Sequence, residues 1–124
     1  MNVDLASETL LELVTMSLDK GKAQDVRILD VRGMTSITDY MVVASGRSAR
    51  QVKALKDLVL EAAREQQVRP LGVEGETVGE WVLIDFGDVI VHTMRPETRD
   101  FYQLEKLWDP STAEPDLAER TLDS

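Results

Sequence analysis

Two apolar runs of strand length, separated by only two residues, constrain the fold of this chain more than any other feature. The runs span residues 81–86 and 89–94, and Gly87 and Asp88 lie between them. Glycine adopts positive φ angles without steric cost, so Gly87 at the first central position is typical of a tight two-residue hairpin turn. The sequence therefore predicts two neighbouring antiparallel strands on which a larger sheet can be built.

Three further segments have the composition of strands. Residues 25–32 are rich in β-branched and apolar side chains and end at Gly33. Residues 40–45 form a short and nearly continuous apolar run, which predicts a strand covered on both faces. Residues 68–73 are a weaker candidate, because Pro70 cannot donate a ladder hydrogen bond and therefore favours an edge position or a strand start.

Apolar periodicity predicts two helices in the first half of the chain. Ser7 is placed to cap the first helix, whose apolar residues recur at helical spacing. Ser48 and Gln51 have the form of a capping box at the start of the second helix, which continues to about residue 67. The predicted apolar stripe of the second helix consists of Val52, Leu55, Leu58, Val59 and Ala62.

The end of the chain predicts one more helix and a tail. Pro96 suits the first turn of this last helix, and one face of it would carry Phe101, Leu104 and Trp108. The order of elements, α-β-β-α-β-β-β-α, predicts an α/β (α+β) fold in which helices flank a mixed sheet of about five strands. We expect one domain over residues 1–108, followed by an acidic, disordered tail over residues 109–124.

Composition excludes several classes of site and partner. The chain has no cysteine, which removes disulfides and thiolate zinc sites, and its apolar runs are too short to cross a membrane. Its first residues lack the basic flank and apolar stretch of a signal peptide, so we expect a cytoplasmic protein. A formal net charge of −9 predicts no binding to DNA and little direct contact with RNA, because such binding depends on lysine and arginine. The same charge suits a basic protein partner.

Residues suited to catalysis are few. His92 is the single histidine, which excludes a catalytic triad or a histidine-rich metal site within one chain. We expect a structural or surface-contact role for His92, and protonation near neutral pH could tune an interface there. Paired carboxylates can hold magnesium, but turn and capping roles fit better here because no DxD or HExxH pattern is present. The carboxylates concerned are Asp30, Asp39, Asp85 and Asp88.

Trp81 is the residue most suited to contact a partner. A tryptophan on a strand usually belongs to the core, but Trp81 follows the glycine- and acid-rich loop EGETVGE, which should be exposed. Tryptophan is also the residue type most enriched at interface hot spots. A polar rim around it, or simply a solvated face, could come from the polar side of the last helix, which carries Arg99, Tyr102, Glu105 and Lys106.

Several ordered motifs resemble one known family. They are LDV (29–31), TDYMVV (38–43), G-x-S (46–48), GVEGE (72–76), WVLIDFGDVIVH (81–92) and R-x-F-Y-x-L-E-K-L-W (99–108). Over about residues 7–108 the chain is similar to the ribosomal silencing factor family, RsfS/YbeB, whose plant relative is called Iojap. Agreement of several motifs in one order is far more specific than any single motif.

The resemblance implies a fold related to nucleotidyltransferases but without their catalytic carboxylates, and no enzymatic activity, metal or cofactor. It implies binding to ribosomal protein fourteen of the large ribosomal subunit, which sterically blocks association with the small subunit and represses translation under nutrient limitation. It also implies a homodimer when the protein is free. The family's contact tryptophan falls by motif on Trp81, with Val82 beside it, and the arginine and tyrosine of the last motif fall on Arg99 and Tyr102. The full predicted set of partner-binding residues is Trp81, Val82, Arg99, Tyr102, Glu105 and Lys106.

Two other functions stay open on the residues alone. One is a small nucleotidyltransferase-like enzyme that uses Gly46 and Ser48 for phosphate, with Asp85 or Asp88 for magnesium. The segment Gly46-Arg47-Ser48 lacks both the GxxxxGK[ST] and the GxGxxG pattern, so a strand-to-helix turn with a capping serine fits it better. The other is an adaptor that docks on a different basic protein through Trp81, which competition with small-subunit joining would distinguish.

Overall fold

The computed structural model describes residues 6–108, which fold into a five-stranded mixed sheet with helices packed against it. The predicted fold class is confirmed, and the predicted order of elements holds except that the last helix is divided in two. The elements in chain order are α1 (Ser7–Lys20), β1 (Gln24–Asp30), β2 (Tyr40–Ser45), α2 (Ala49–Glu65), β3 (Gly72–Glu74), β4 (Trp81–Asp85), β5 (Val89–Met94), α3 (Pro96–Tyr102) and α4 (Leu104–Trp108).

The strands lie in the order β1-β2-β5-β4-β3. Neighbours are antiparallel except β2 and β5, which run parallel. Every residue of these two central strands is buried, as the continuous apolar run of β2 predicts. The edges are formed by β1 and the short β3. The predicted edge position is confirmed, but the predicted bounds, residues 68–73, are wrong, because β3 begins only at Gly72 and Pro70 lies before it.

The β4–β5 hairpin turns as its sequence predicts. The N–H of Phe86 donates to the carbonyl of Val89 over 2.9 Å, which leaves Gly87 and Asp88 as the two loop residues. Gly87 has a φ of 90°, in the left-handed region that favours glycine. The Asp85 carboxylate accepts the N–H of Gly87 at 2.8 Å and closes the turn.

The two faces of the sheet are covered differently. The helices α1 and α2 cover one face and enclose the larger apolar cluster, to which the sheet contributes Tyr40, Val42, Ala44, Val82, Ile84, Val89 and Val91. A smaller cluster lies on the opposite face and consists of Leu29, Val31, Met41, Val43 and Met94, with Trp81 and Leu104 packed against it. Alternation of side chains along each strand produces this division.

The helix starts test two capping predictions. The prediction for Ser48 is confirmed, because its hydroxyl accepts the N–H of Gln51 at 3.1 Å and precedes α2. The prediction for Ser7 is wrong. Ala6 occupies the cap position, and Ser7 is the first helical residue, with a hydroxyl that donates to the Asp39 carboxylate at 2.6 Å. A long-range acceptor therefore wins over the local backbone.

The predicted last helix breaks in the middle. Gln103 adopts a left-handed conformation with a φ of 49°, which ends α3 and lets α4 begin in a new direction. The expectation that Phe101 and Leu104 share one buried face is therefore wrong: Phe101 is 79% exposed, while Leu104 packs on the smaller cluster. The side chain of Trp108 and the predicted disordered tail, residues 109–124, lie outside the described residues.

Candidate functional site

Trp81 begins β4 on the sheet face opposite α1 and α2. It pairs in register with Met94 of β5 and packs against the smaller apolar cluster. Its side chain is only partly buried. Trp81 therefore combines a fixed base in the sheet with an indole ring that reaches the surface.

Two further aromatic rings extend this ring outward. The rings of Trp81 and Tyr102 are tilted by 51° with centroids 5.0 Å apart, and Phe101 meets Tyr102 edge-on at 5.0 Å. Tyr102 is 55% exposed, and Phe101 is more exposed still. We call Trp81, Phe101 and Tyr102 the aromatic surface. Exposed apolar area of this kind, set beside charged side chains, is typical of a contact with another macromolecule.

A network of ionic and polar contacts fixes α3 and α4 on the sheet. The Arg99 guanidinium donates to the Glu105 carboxylate across the helix break and to the Ser45 hydroxyl of β2 at 2.9 Å. Arg27 of β1 lies 3.4 Å from the other oxygen of Glu105. Because the Arg99 and Glu105 side chains are only 11% and 18% exposed, water screens their interaction less than that of a surface pair. These contacts hold Tyr102 beside Trp81.

Glu80 ties the segment before Trp81 to the start of α3. Its carbonyl accepts the N–H of Arg95 at 3.0 Å, and its carboxylate accepts the hydroxyl of Thr98 at 3.2 Å. The Arg95 guanidinium lies 3.6 Å from the same carboxylate. Glu80, the residue before β4, is thus joined to the start of the helix that carries Tyr102.

The structure brings most of the predicted partner-binding residues together. Trp81 and Tyr102 are in contact, and Arg99, Glu105 and Lys106 together line an open groove to which neither ring contributes. Val82 lies elsewhere: it is fully buried in the larger cluster under the helices, so its side chain does not reach the surface.

Phe101 is the exposed ring that the sequence did not assign to this surface. Its helical spacing to Leu104 predicts a core position, and only the break at Gln103 reverses this. No glycine or proline stands at residues 102–104 to signal such a break.

His92 lies beneath the aromatic surface, on β5. The indole Nε1 of Trp81 donates to its Nδ1 at 2.9 Å, and the imidazole is 3% exposed. Burial lowers the pKa of His92 to about 4, because the charged imidazolium loses its hydration. The expectation of a charge change near neutral pH is therefore wrong, while the structural role is confirmed.

The carboxylates and the glycine considered for an enzymatic site make structural contacts. Asp85 closes the hairpin turn, and Asp39 accepts the hydroxyl of Ser7. Within residues 6–108 no group of three or more potential ligands is close enough to hold a metal ion. Gly46 is required by packing, because a Cβ there would lie 2.9 Å from the backbone nitrogen of Val52. The turn at residues 46–48 therefore serves the close approach of β2 to α2.

Comparisons with known proteins agree on one family. The family model described as "Ribosomal silencing factor during starvation" matches residues 4–123, which extends beyond the motifs that end at Trp108. The chain belongs to the ribosomal silencing factor family. A Zymomonas mobilis relative named ribosomal silencing factor RsfS is 45% identical over 101 residues, covering 82% of this chain and 76% of the relative.

Two more relatives extend the comparison to structure and to a distant lineage. A crystal structure of a Chromobacterium violaceum protein superposes with a TM-score of 0.83 at 40% identity, covering 90% of this chain and 91% of that one. A mouse protein named "Mitochondrial assembly of ribosomal large subunit protein 1" is 30% identical over 88% of this chain and 49% of its own length. As for membranes, no helix among the described residues has the length and apolarity to cross a bilayer.

Proposed function

We propose that this protein binds the large ribosomal subunit through ribosomal protein fourteen and thereby blocks association with the small subunit. Translation would be repressed in this way in the cytoplasm when nutrients are limited. Membership in the ribosomal silencing factor family supports the ribosome as target, and the family's description refers to starvation. The name of the mouse relative refers to the large subunit.

The observation that carries the proposal is the aromatic surface. It presents a partly buried tryptophan in contact with the exposed Tyr102, which in turn contacts the exposed Phe101. Buried aromatic anchors of this kind supply most of the binding energy in protein interfaces. In this proposal Trp81 is the anchor and Tyr102 extends it.

The remaining predicted residues have supporting roles in the proposal. Arg99 and Glu105 hold α3 and α4 in place and line the open groove, and the exposed Lys106 contributes to the polar rim. Val82 acts from within, because its burial under α1 and α2 fixes the strand on which Trp81 stands.

The charge of the chain fits a basic protein better than it fits ribosomal RNA. The whole chain carries a net charge of −9, so phosphate groups repel it on average, whereas a basic protein attracts it. Long-range attraction of this kind accelerates the encounter more than it strengthens the final complex. The aromatic surface then provides affinity that does not depend strongly on salt.

The proposed mechanism needs no enzymatic step and no change in ribosome structure. A small domain that occupies the surface where the subunits meet is incompatible with the joined ribosome. Because the domain binds the free large subunit and not the joined ribosome, mass action shifts the equilibrium toward separate subunits. An interface of roughly 1,600 Å² in total would be sufficient.

The test is sedimentation of purified subunits at a magnesium concentration where they normally join. We expect the protein to travel with the large subunit and the joined peak to decrease. Trp81→Ala should weaken large-subunit binding by at least ~2 kcal/mol, about thirtyfold, as hot-spot truncations do. Tyr102→Ala, which removes a more exposed ring, should have a smaller effect in the same direction.

Met16→Ala is the matched control. Met16 is 65% exposed on α1, across the sheet from the aromatic surface, so its truncation removes exposed apolar area at a different place. It should bind like the unaltered protein. If Trp81→Ala and Tyr102→Ala fold and bind as tightly as Met16→Ala, the aromatic surface is not the contact. If joining is unaffected by the protein, the silencing mechanism fails.

We also propose that the free protein is a homodimer, as the family resemblance implies. Sedimentation equilibrium of the purified chain gives the mass directly, and a monomer at micromolar concentration contradicts this part of the proposal. Repeating the measurement with the large subunit present shows whether one or two copies bind.

A further inference from the structure

We propose that His92 is a positioning residue for Trp81, and that its imidazole fixes the indole ring in the orientation at which the aromatic surface meets a partner. The identity of that partner rests on the proposed function. The positioning itself is a property of the free protein and can be measured without a ribosome.

The hydrogen bond between the two side chains determines which nitrogen of His92 carries a proton. The indole Nε1 of Trp81 can only donate, and it lies 2.9 Å from Nδ1 of His92. Nδ1 is therefore the unprotonated acceptor, and the one proton of the neutral imidazole is on Nε2. The low pKa of the buried imidazole, about 4, keeps this acceptor form present at neutral pH.

A histidine at this position is unfavourable for the stability of the fold. Nε2 of His92 is buried and has no hydrogen-bond partner within residues 6–108. A buried donor without a partner destabilises the folded state. Phenylalanine would occupy the same place between Val43 and Leu83, its register neighbours, and would remove the unpaired Nε2–H. The one thing that phenylalanine cannot do is accept the indole hydrogen bond.

The acceptor of this hydrogen bond is itself held in place by the sheet. His92 belongs to β5, which is buried over its whole length between β2 and β4, so the acceptor stands on one of the two central strands of the sheet. Tyr102 contacts the indole from α3, a helix of one to two turns. The indole is thus held from the sheet by His92 and contacted from the surface by Tyr102.

Preorganisation of this kind strengthens binding without adding a contact. A side chain that is already fixed loses less conformational entropy when the complex forms. His92 is too buried to touch a partner directly, so its effect on affinity must pass through its neighbours, of which Trp81 is the one it hydrogen-bonds.

The first test observes the hydrogen bond itself. In isotope-labelled protein, a nitrogen–nitrogen scalar coupling across the hydrogen bond should connect the indole Nε1 of Trp81 with Nδ1 of His92. A Trp108→Phe background leaves one indole resonance, since the chain has two tryptophans. The imidazole shifts should report the Nε2–H tautomer. Absence of the coupling, or the opposite tautomer, refutes the positioning role.

The second test separates positioning from ordinary structural support. His92→Phe removes the acceptor and keeps a ring of similar size, whereas His92→Asn places an acceptor oxygen near the former Nδ1. His92→Phe should bind the large subunit about tenfold more weakly, the effect of releasing one side chain, while its urea midpoint is equal to or above that of the unaltered protein. His92→Asn should recover part of the binding although it is less stable. If His92 only supported the fold, binding would follow stability, and His92→Phe would bind more tightly than His92→Asn.

The outcomes separate this inference from the proposed function. If His92→Phe folds and binds as tightly as the unaltered protein, positioning by His92 is refuted. If His92→Phe does not fold, positioning by His92 is tested by the nitrogen–nitrogen coupling and by the binding of His92→Asn, and it is refuted if either is absent. If the coupling is present but Trp81→Ala binds large subunits normally, the inference about the ring stands and the proposed contact fails.

Discussion

Gly75 allows the strand pair β3–β4 to close next to Trp81, and replacing it gives a sharp test of the structure. A Cβ built on Gly75 would lie 2.0 Å from the carbonyl oxygen of Trp81, and the residue has a φ of 83°. Carbon and carbonyl oxygen atoms that are not bonded approach to about 3.3 Å, so the Gly75→Ala backbone must move by about 1 Å. The new contact costs about 2 kcal/mol and the positive φ about 1 kcal/mol.

Gly75→Ala should therefore lower the free energy of unfolding by about 3 kcal/mol. Two other glycines separate the contributions. Gly33 has a φ of 87° with no atom within 4 Å of its Cβ position, so Gly33→Ala should lose only the conformational part, about 1 kcal/mol. Gly72 has neither a positive φ nor a close neighbour, and Gly72→Ala should be neutral to within about 0.5 kcal/mol.

Urea unfolding followed by circular dichroism measures all three variants on one scale, provided that the slope with denaturant stays constant. The expected order of stability is Gly72→Ala, then Gly33→Ala, then Gly75→Ala. If Gly75→Ala is no less stable than Gly33→Ala, the close approach of the loop to Trp81 does not exist in solution. The position of Trp81 next to this loop would then be wrong as well.

Two further predictions concern His92 and the start of α2. Burial depresses the pKa of His92 from 6.5 to about 4, so the unfolded chain binds its proton first, and stability present above pH 6.5 is lost as the pH falls toward 4. The loss of stability reaches about 3 kcal/mol. It should appear as a difference in urea unfolding between the unaltered protein and His92→Phe, in which only the carboxylates titrate over this pH range. Equal pH profiles of the two proteins would contradict the burial of His92. Ser48→Ala removes the acceptor for the N–H of Gln51 and should lower the free energy of unfolding by about 1 kcal/mol, with faster hydrogen exchange at that amide. Ser36→Ala, in an exposed loop, is the control and should change neither quantity. Equal effects of the two substitutions would exclude a capping role for Ser48.

The family could be recognised from the sequence because its motifs are local. Each motif describes one strand, turn or helix start whose residue types are required by nearby backbone geometry. Gly87 in the hairpin turn, Ser48 at the cap of α2 and Pro96 in the first turn of α3 all lie where such reasoning puts them.

The predictions that were wrong depended on competition between local and distant partners. Ser7 has the chemistry of a helix cap, but the Asp39 carboxylate lies within reach and accepts its hydroxyl. Helical spacing places Phe101 with Leu104, but the Arg99–Glu105 pair spans the turn at Gln103 and α4 packs separately on the sheet. No local pattern reports such long-range contacts, because they depend on which segments the fold brings together.

The neighbours Trp81 and Val82 point to opposite faces of β4, because side chains alternate along a strand. The resemblance named both as contact residues, and backbone geometry allows only one of them to present its side chain on the outer face. The sequence of β4 alone does not indicate which of its two faces is exposed. It follows from the packing of α1 and α2 on the side of Val82.

The sequence by itself determined the fold class, the family and the position of the hairpin, because strand periodicity, turn chemistry and caps act over a few residues. Only the tertiary structure decided that His92 is buried and neutral beneath Trp81, and that Phe101 and Tyr102 stand exposed beside it. Burial and side-chain pairing depend on the summed packing of distant segments. Burial keeps His92 neutral, and cross-strand geometry makes it the hydrogen-bond acceptor for Trp81. No local pattern in the sequence predicts either property.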